Sequence, residues 1–145
     1  MKTFTITMPV ISTTYAELTE ADRTLVDAAR QATSRSYAPY SRFHVGAAIL
    51  LDDGTIVTGS NQENAAFPSS TCAERTAAYY AHSAHPDAKF AKIAIAAVGT
   101  DGEEVAQPVP PCGACRQALM EYEKLAGHDV PVLLVGRHEV YHLPS

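Results

Sequence analysis

The feature that most restricts the fold is a set of three cysteines split between two short motifs, Cys72-Ala73-Glu74-Arg75 and Pro111-Cys112-Gly113-Ala114-Cys115-Arg116. An odd number cannot be fully paired within one chain. In a reducing compartment such residues serve more often as metal ligands or catalytic thiols. Each motif falls where a helix is expected to begin. Ser69, Ser70 and Thr71 are capping residues ahead of a helix over about 72–83, and Pro108 to Pro111 lead stiffly into another over about 112–126. Helix N-termini present free N–H groups and a partial positive charge, which favour thiolate over thiol. Cys112 and Cys115 project from one side of the same first turn. If the two helix tips meet, three sulfurs can hold a tetrahedral zinc and leave one position open. That is the catalytic arrangement, whereas a structural site takes a fourth protein ligand. There is no fourth cysteine, and none of His44, His82, His85, His128, His138 and His142 lies in either motif, so none is given a metal role.

The remaining periodicity predicts the frame around those tips. Thr19 caps a helix through Glu20-Ala21-Asp22, with Leu25, Ala28, Ala29 and Ala32 on one buried stripe, ending at Tyr37-Ala38-Pro39. Residues 43–51 and 55–59 read as strands joined by an Asp52-Asp53-Gly54 turn. Residues 92–98, 130–135 and 140–143 read as further strands. The order α-β-β-α-β-α-β-β predicts an α/β fold, a mixed five-stranded sheet with helices on its faces. Thr3 to Ile11 is expected either to add an edge strand or to form an arm onto a neighbour.

At 145 residues, with 46% hydrophobic and 19% charged, one domain spanning 1–145 is expected, with 1–14 as an N-terminal arm or extra edge strand. No stretch approaches the ~20 apolar residues of a membrane span, and no secretion signal is legible, so a cytoplasmic enzyme is the expectation. A net charge of -5 without a Lys/Arg run argues against a polynucleotide partner, but not against a small nucleoside, and with no apolar span no membrane partner is expected.

Three thiolates and one Zn(II) sum to a negative charge, which makes a water at the metal harder to ionise. Arg75, one turn along from Cys72, can offset it by hydrogen bonding to the thiolates; otherwise it is a solvated surface arginine. Glu74 does not share the helix face of Cys72, but first-turn residues surround whatever the helix tip points at. A carboxylate beside the metal without ligating it meets the need of a proton shuttle; otherwise Glu74 merely stabilises the first turn. Cys-x-Glu followed by Pro-Cys-x-x-Cys is the three-cysteine form of the signature of zinc deaminases acting on cytosine or adenine.

Three further blocks, Tyr37-Ala-Pro-Tyr-Ser41, Phe43-His-Val-Gly-Ala-Ala48 and Gly59-Ser-Asn-Gln-Glu-Asn-Ala-Ala-Phe67, extend that signature, whose own two blocks read Cys72-Ala-Glu-Arg75 and Pro111-Cys-Gly-Ala-Cys-Arg-Gln117. In this order and spacing the chain resembles the small homotetrameric, zinc-dependent cytidine deaminases. The resemblance implies a three-layer α-β-α fold and one zinc per chain held by Cys72, Cys112 and Cys115, with Glu74 as proton shuttle. It places Asn61 and Glu63 on the ribose 3′-hydroxyl, Phe43 beside the pyrimidine and the Ala73 N–H on the base carbonyl. A main-chain carbonyl before Cys112 is implied to accept from the base amino group. Ala65 and Phe67 are implied to reach across a subunit boundary towards the 5′ end; Phe67 stands where Tyr is common, so that hydroxyl is lacking. Relatives commonly continue into Leu-Leu-Pro-x-x-Phe, whose aromatic residue closes over a neighbour's base, whereas this sequence reads His142-Leu143-Pro144-Ser145. The implied activity is hydrolytic deamination of cytidine and 2′-deoxycytidine in pyrimidine salvage.

Other readings use the same cysteines. A thiol–disulfide module would use Cys112 and Cys115 alone and leave Cys72, Glu74, Asn61 and Glu63 without purpose. A structural zinc module would need a fourth ligand. Deaminases of blasticidin-type antibiotics share the cysteines but not the Asn61-Gln-Glu-Asn-Ala65 block, and enzymes acting on tRNA adenosine typically carry His-x-Glu.

Overall fold

The computed structural model describes residues 1–145. Helix α1 (Glu20–Ala32) opens on Thr19, whose hydroxyl accepts the Asp22 N–H at 3.1 Å. It buries Leu25, Val26, Ala29 and Ala32 on one stripe. Strands β2 (His44–Leu51) and β3 (Ile56–Ser60) form the expected hairpin, its turn passing through Gly54 at φ 88°, where a glycine is favoured. Helix α2 (Ala73–Ala84), β4 (Phe90–Val98), α3 (Gly113–Ala126), β5 (Val132–Val135) and β6 (Val140–Leu143) follow. α3 ends on Gly127 at φ 77°, whose N–H returns to the Glu123 carbonyl at 3.0 Å.

With Ile11–Thr13 as β1, the sheet has six strands rather than five, in the order β1-β6-β5-β4-β2-β3. The added strand, β1 (Ile11–Thr13), pairs antiparallel with β6, and Thr13 Oγ1 and His142 Nε2 lie 2.8 Å apart. It begins at the last residue of the expected 3–11 segment and runs two residues beyond it, because the open edge of β6, not local propensity, selects the residues that pair. β5 starts at Val132, not at 130: Pro131 has no N–H to give, and the Val130 N–H is taken by the Glu123 carboxylate at 2.8 Å. β4 and β5 run parallel, as a crossover through α3 requires; the other neighbouring pairs are antiparallel.

Period-two alternation divides the core between the two faces of the sheet. Ala47, Ile49, Ile93 and Ile95 pack with Ala73, Ala77, Ala81 and Leu119 of α2 and α3. Ala48, Ala94, Ala96 and Leu133 pack with Leu25, Val26 and Ala29 of α1. The molecule is thus three-layered, α1 on one side and α2 with α3 on the other. Small alanines on α2 let it lie close to β3, and Gly59 has no room for a side chain, since a Cβ there would stand 2.4 Å from the Ala77 nitrogen. That contact sets where the first turn of α2 lies. No helix is long and apolar enough to cross a membrane.

Candidate metal and substrate site

Cys72 and Cys112 are the N-cap residues of α2 and α3, each accepting the first helical hydrogen bond on its carbonyl: Thr76 N–H to Cys72 at 3.0 Å and Arg116 N–H to Cys112 at 2.9 Å. Both helix tips converge. The Sγ atoms of Cys72 and Cys112 lie 3.9 Å apart, those of Cys112 and Cys115 3.5 Å apart, and all three within 4.8 Å of one another. A tetrahedral ion with Zn–S bonds of ~2.3 Å would separate its sulfurs by about 3.8 Å. The cluster therefore fits zinc, and no cysteine is in a disulfide.

Charge distribution within the cluster is uneven. The Cys72 thiol is pulled down to about 5, first by the Cys115 thiol, against the opposing effect of burial, with Arg75 and Cys112 adding to the pull. The Cys115 thiol is pushed up, first by its bond to Cys72 and then by burial. Three sulfurs this close do not all ionise unless a cation sits among them. Arg75 supplies part of that charge: its Nη2 donates to Cys72 Sγ at 3.5 Å, and this contact raises the guanidinium pKa further above its ordinary value. Its buried Nε has no protein partner. Glu74 is 5% exposed, and burial pushes its carboxyl above the ordinary value. A carboxyl in that state holds a proton more readily near neutral pH than an exposed glutamate does.

Above the cluster is a cavity of about 750 Å³ with Cys72, Ala73, Glu74, Arg75 and Cys112 in its lining and Ile95 to Ala97 of β4 among its walls. Phe43, Asn61, Glu63 and Phe67 also line it. Cys115 is buried beneath, and Ala65 lies outside, in a turn closed by Ala66 N–H donating to Asn64 Oδ1 at 2.9 Å. Of the residues singled out in the sequence, Ala65 alone is not brought to the cavity or to its metal floor.

Two polar side chains shape the rim through contacts that no local motif foretold. The Asn61 amide brackets residue 44, with Nδ2 donating to the Phe43 carbonyl at 2.9 Å and Oδ1 accepting the Val45 N–H at 2.8 Å. It fixes the start of β2 and hence Phe43. Glu63 Oε2 accepts the N–H groups of Tyr40 at 2.9 Å and Ser41 at 3.2 Å. Ser41, through its side chain and N–H, together with the Tyr40 N–H, holds that carboxyl below the usual range. Tyr40 and Ser41 line the cavity without having been given a role; their signal was the Tyr37–Ser41 block itself. Pro110, rather than Pro111, supplies the cavity wall ahead of Cys112.

A three-layer α/β fold with three sulfurs at two helix tips, beside a buried carboxylate and under a nucleoside-sized cavity, defines the class of zinc hydrolytic sites built on helix N-termini. The model of the family described as the cytidine and deoxycytidylate deaminase zinc-binding region matches residues 19–126. The chain belongs to that family. It is 46% identical over 97 residues to a cytidine deaminase of Halalkalibacterium halodurans, covering 67% of this chain and 68% of that one. It is 45% identical over 112 residues to a cytidine deaminase of Sporosarcina psychrophila, covering 77% and 75%. Among solved structures, cytidine deaminase from Burkholderia pseudomallei superimposes with a TM-score of 0.69 at 36% identity, over 85% of this chain and 91% of that one.

Proposed function

We propose that the protein hydrolyses cytidine and 2′-deoxycytidine to uridine and 2′-deoxyuridine with release of ammonia. The observation that carries this reading is the convergence of the Cys72, Cys112 and Cys115 sulfurs with the buried Glu74 on the floor of one cavity. One zinc per chain would be held by those sulfurs. When bound, the metal supplies a Lewis acid that makes water nucleophilic at neutral pH.

The chain's own groups do the rest. Phe43, fixed by Asn61, packs beside the pyrimidine and keeps bulk water from the ring. The Ala73 N–H, free in the first turn of α2, meets the base carbonyl, and a carbonyl ahead of Cys112 accepts from the exocyclic amine. Glu63, with Oε2 occupied by the Tyr40–Ser41 backbone, turns its other oxygen to the ribose 3′-hydroxyl, with Asn61 beside it. The Glu74 carboxylate takes a proton from the attacking water and delivers it to N3, leaving C4 electrophilic as the water oxygen bonds to it. It then carries the remaining proton of the added oxygen to the amine as the C4–N bond breaks and the C4 carbonyl forms, so that water and cytidine become uridine and ammonia. Arg75 offsets the charge of the sulfurs throughout.

An ultraviolet assay with cytidine, run beside a zinc determination, tests the reading: uridine formation with about one zinc per chain, abolished by chelation, is expected. Glu74→Gln should retain zinc and lose about 10²- to 10⁴-fold in kcat, the usual worth of a positioned acid–base group. Zinc retention with full turnover would remove Glu74 from its role.

The proposed setting is pyrimidine salvage in the cytoplasm, where a cluster of free thiols stays reduced; fractionation finding the chain in an oxidising compartment would contradict it. A homotetramer with shared sites is part of the same reading. Phe67 supports it: the ring lines the cavity mouth, meets Tyr40 edge-on at 6.3 Å and is 74% exposed, uncovered within its own chain. Ala65 then faces the neighbour's nucleoside rather than its own. Monomers that keep full turnover on dilution in the ultracentrifuge would dispose of the shared site.

A further inference from the structure

The segment ahead of β1 takes no part in the site, yet its pattern is that of a strand. Phe4, Ile6, Met8 and Val10 alternate with Thr3, Thr5, Thr7 and Pro9. The apolar members are 83%, 95%, 60% and 49% exposed, an unusual concentration of uncovered apolar side chains in so short a stretch. Its own chain offers it no ladder to join. In β1–β6, Ile11 pairs with His142 and Thr13 with Val140. The next pair facing the same way sets Pro9 against Pro144, and neither has an N–H to donate. The other edge of the arm, onto which its even-numbered residues direct their N–H groups, is open along its whole length.

From this register we infer that the arm, residues 2–12, pairs antiparallel with the same arm of a second copy of this chain, about a twofold axis at Thr7. The sequence is self-complementary there: Phe4 falls opposite Val10 and Ile6 opposite Met8, so both arms gather their apolar side chains on one face. The even-numbered residues exchange the hydrogen bonds, so Pro9 costs the ladder nothing. Met8 shows which way the apolar face looks, because it already lines a groove of about 310 Å³ with Leu119, Met120 and Leu143 beside α3. Charge agrees with the register. Lys2 falls opposite Ser12 of the second copy, and the Ser12 hydroxyl donates at 2.9 Å to Glu139, which forms no ion pair in its own chain. β1 is then no longer an edge strand, and two sheets join through their arms.

Single cysteines in the zinc-loaded, full-length protein test the register. At the axis, two copies of residue 7 form a non-hydrogen-bonded pair with Cα atoms ~4.5 Å apart, within reach of a disulfide. Two copies of residue 5 stand about 13 Å apart, beyond its reach. With diamide as oxidant, Thr7→Cys should give a covalent dimer on a non-reducing gel, while Thr5→Cys and the unsubstituted chain do not. Adding Phe4→Asp and Ile6→Asp, both at exposed positions, should abolish the Thr7→Cys dimer with turnover of cytidine unchanged. Equal cross-linking of Thr5→Cys and Thr7→Cys, absence of the dimer in both, or its survival in the aspartate background would each overturn the inference.

Discussion

Arg75 sets its guanidinium against the sulfur cluster and does so from the same helical turn that carries Glu74. Under the proposed function its value would be to lower the negative charge that three thiolates impose on whatever reacts beside them. Arg75→Ala should therefore keep zinc but lose about 10- to 100-fold in kcat at neutral pH, the usual cost of removing a group that supports metal ligands. Without the cation the reacting water ionises at higher pH, so the acidic limb of the kcat profile should move up and the deficit shrink in alkali. A zinc-loaded Arg75→Ala protein with an unmoved profile would show that the guanidinium only packs. At this scale the sequence was informative where chemistry and spacing coincide. Cys72, Cys112, Cys115, Glu74 and Arg75 were legible as one cluster because helix tips concentrate N–H groups and charge at known offsets. The bracketing of residue 44 by the Asn61 amide was not, since it depends on how β2 meets the end of β3, a tertiary fact.

Position of the cluster is decided by elements rather than by the motif. The first turn of α2 is seated on β3 at Gly59, where an added Cβ would meet the Ala77 nitrogen at 2.4 Å and the Ala73 carbonyl oxygen at 2.8 Å. Backbone atoms cannot swing aside, so Gly59→Ala has to lift the helix tip. The cost should reach about 3 kcal/mol, the upper end for overpacking, seen as a fall in Tm of roughly 6–12 °C, and zinc affinity should fall with it. Gly46→Ala makes the comparison: its Cβ would stand 2.1 Å from the Ala29 carbonyl of α1, on the opposite face of the sheet. It should destabilise the fold while changing zinc affinity much less. Equal effects of both substitutions on zinc affinity would show that helix seating does not set the site. Helix starts and the β2–β3 hairpin were readable from caps and a glycine turn. Strand limits were not: β4 begins at Phe90, two residues ahead of the apolar run, because Phe90 pairs with Leu51 across an irregularity in the β2 ladder. Likewise β1 exists because β6 has an edge to cover.

Over the whole molecule, the two motifs are 40 residues apart and belong to helices that lie together on one face of a sheet whose other face is closed by α1. An ion held by Cys72, Cys112 and Cys115, as proposed, would tie α2 to α3 across β4 and the long connection at residues 99–112, so a metal that serves the reaction would also serve the fold. An unfolded chain offers the same sulfurs but no common geometry, and its weaker grip subtracts only part of the gain. For an ion that binds the folded state alone, stability rises by RT ln(1 + [Zn]/Kd), about 4 kcal/mol at a thousandfold excess over Kd. In a domain of this size that is roughly 8–16 °C in Tm. Scanning calorimetry after chelation should show a loss of this order, restored by added zinc and growing with the logarithm of its free concentration. Cys115→Ser, which removes the buried ligand, should abolish that dependence, and a Tm indifferent to zinc in the unsubstituted protein would mean that the three sulfurs do not grip the ion in the folded state.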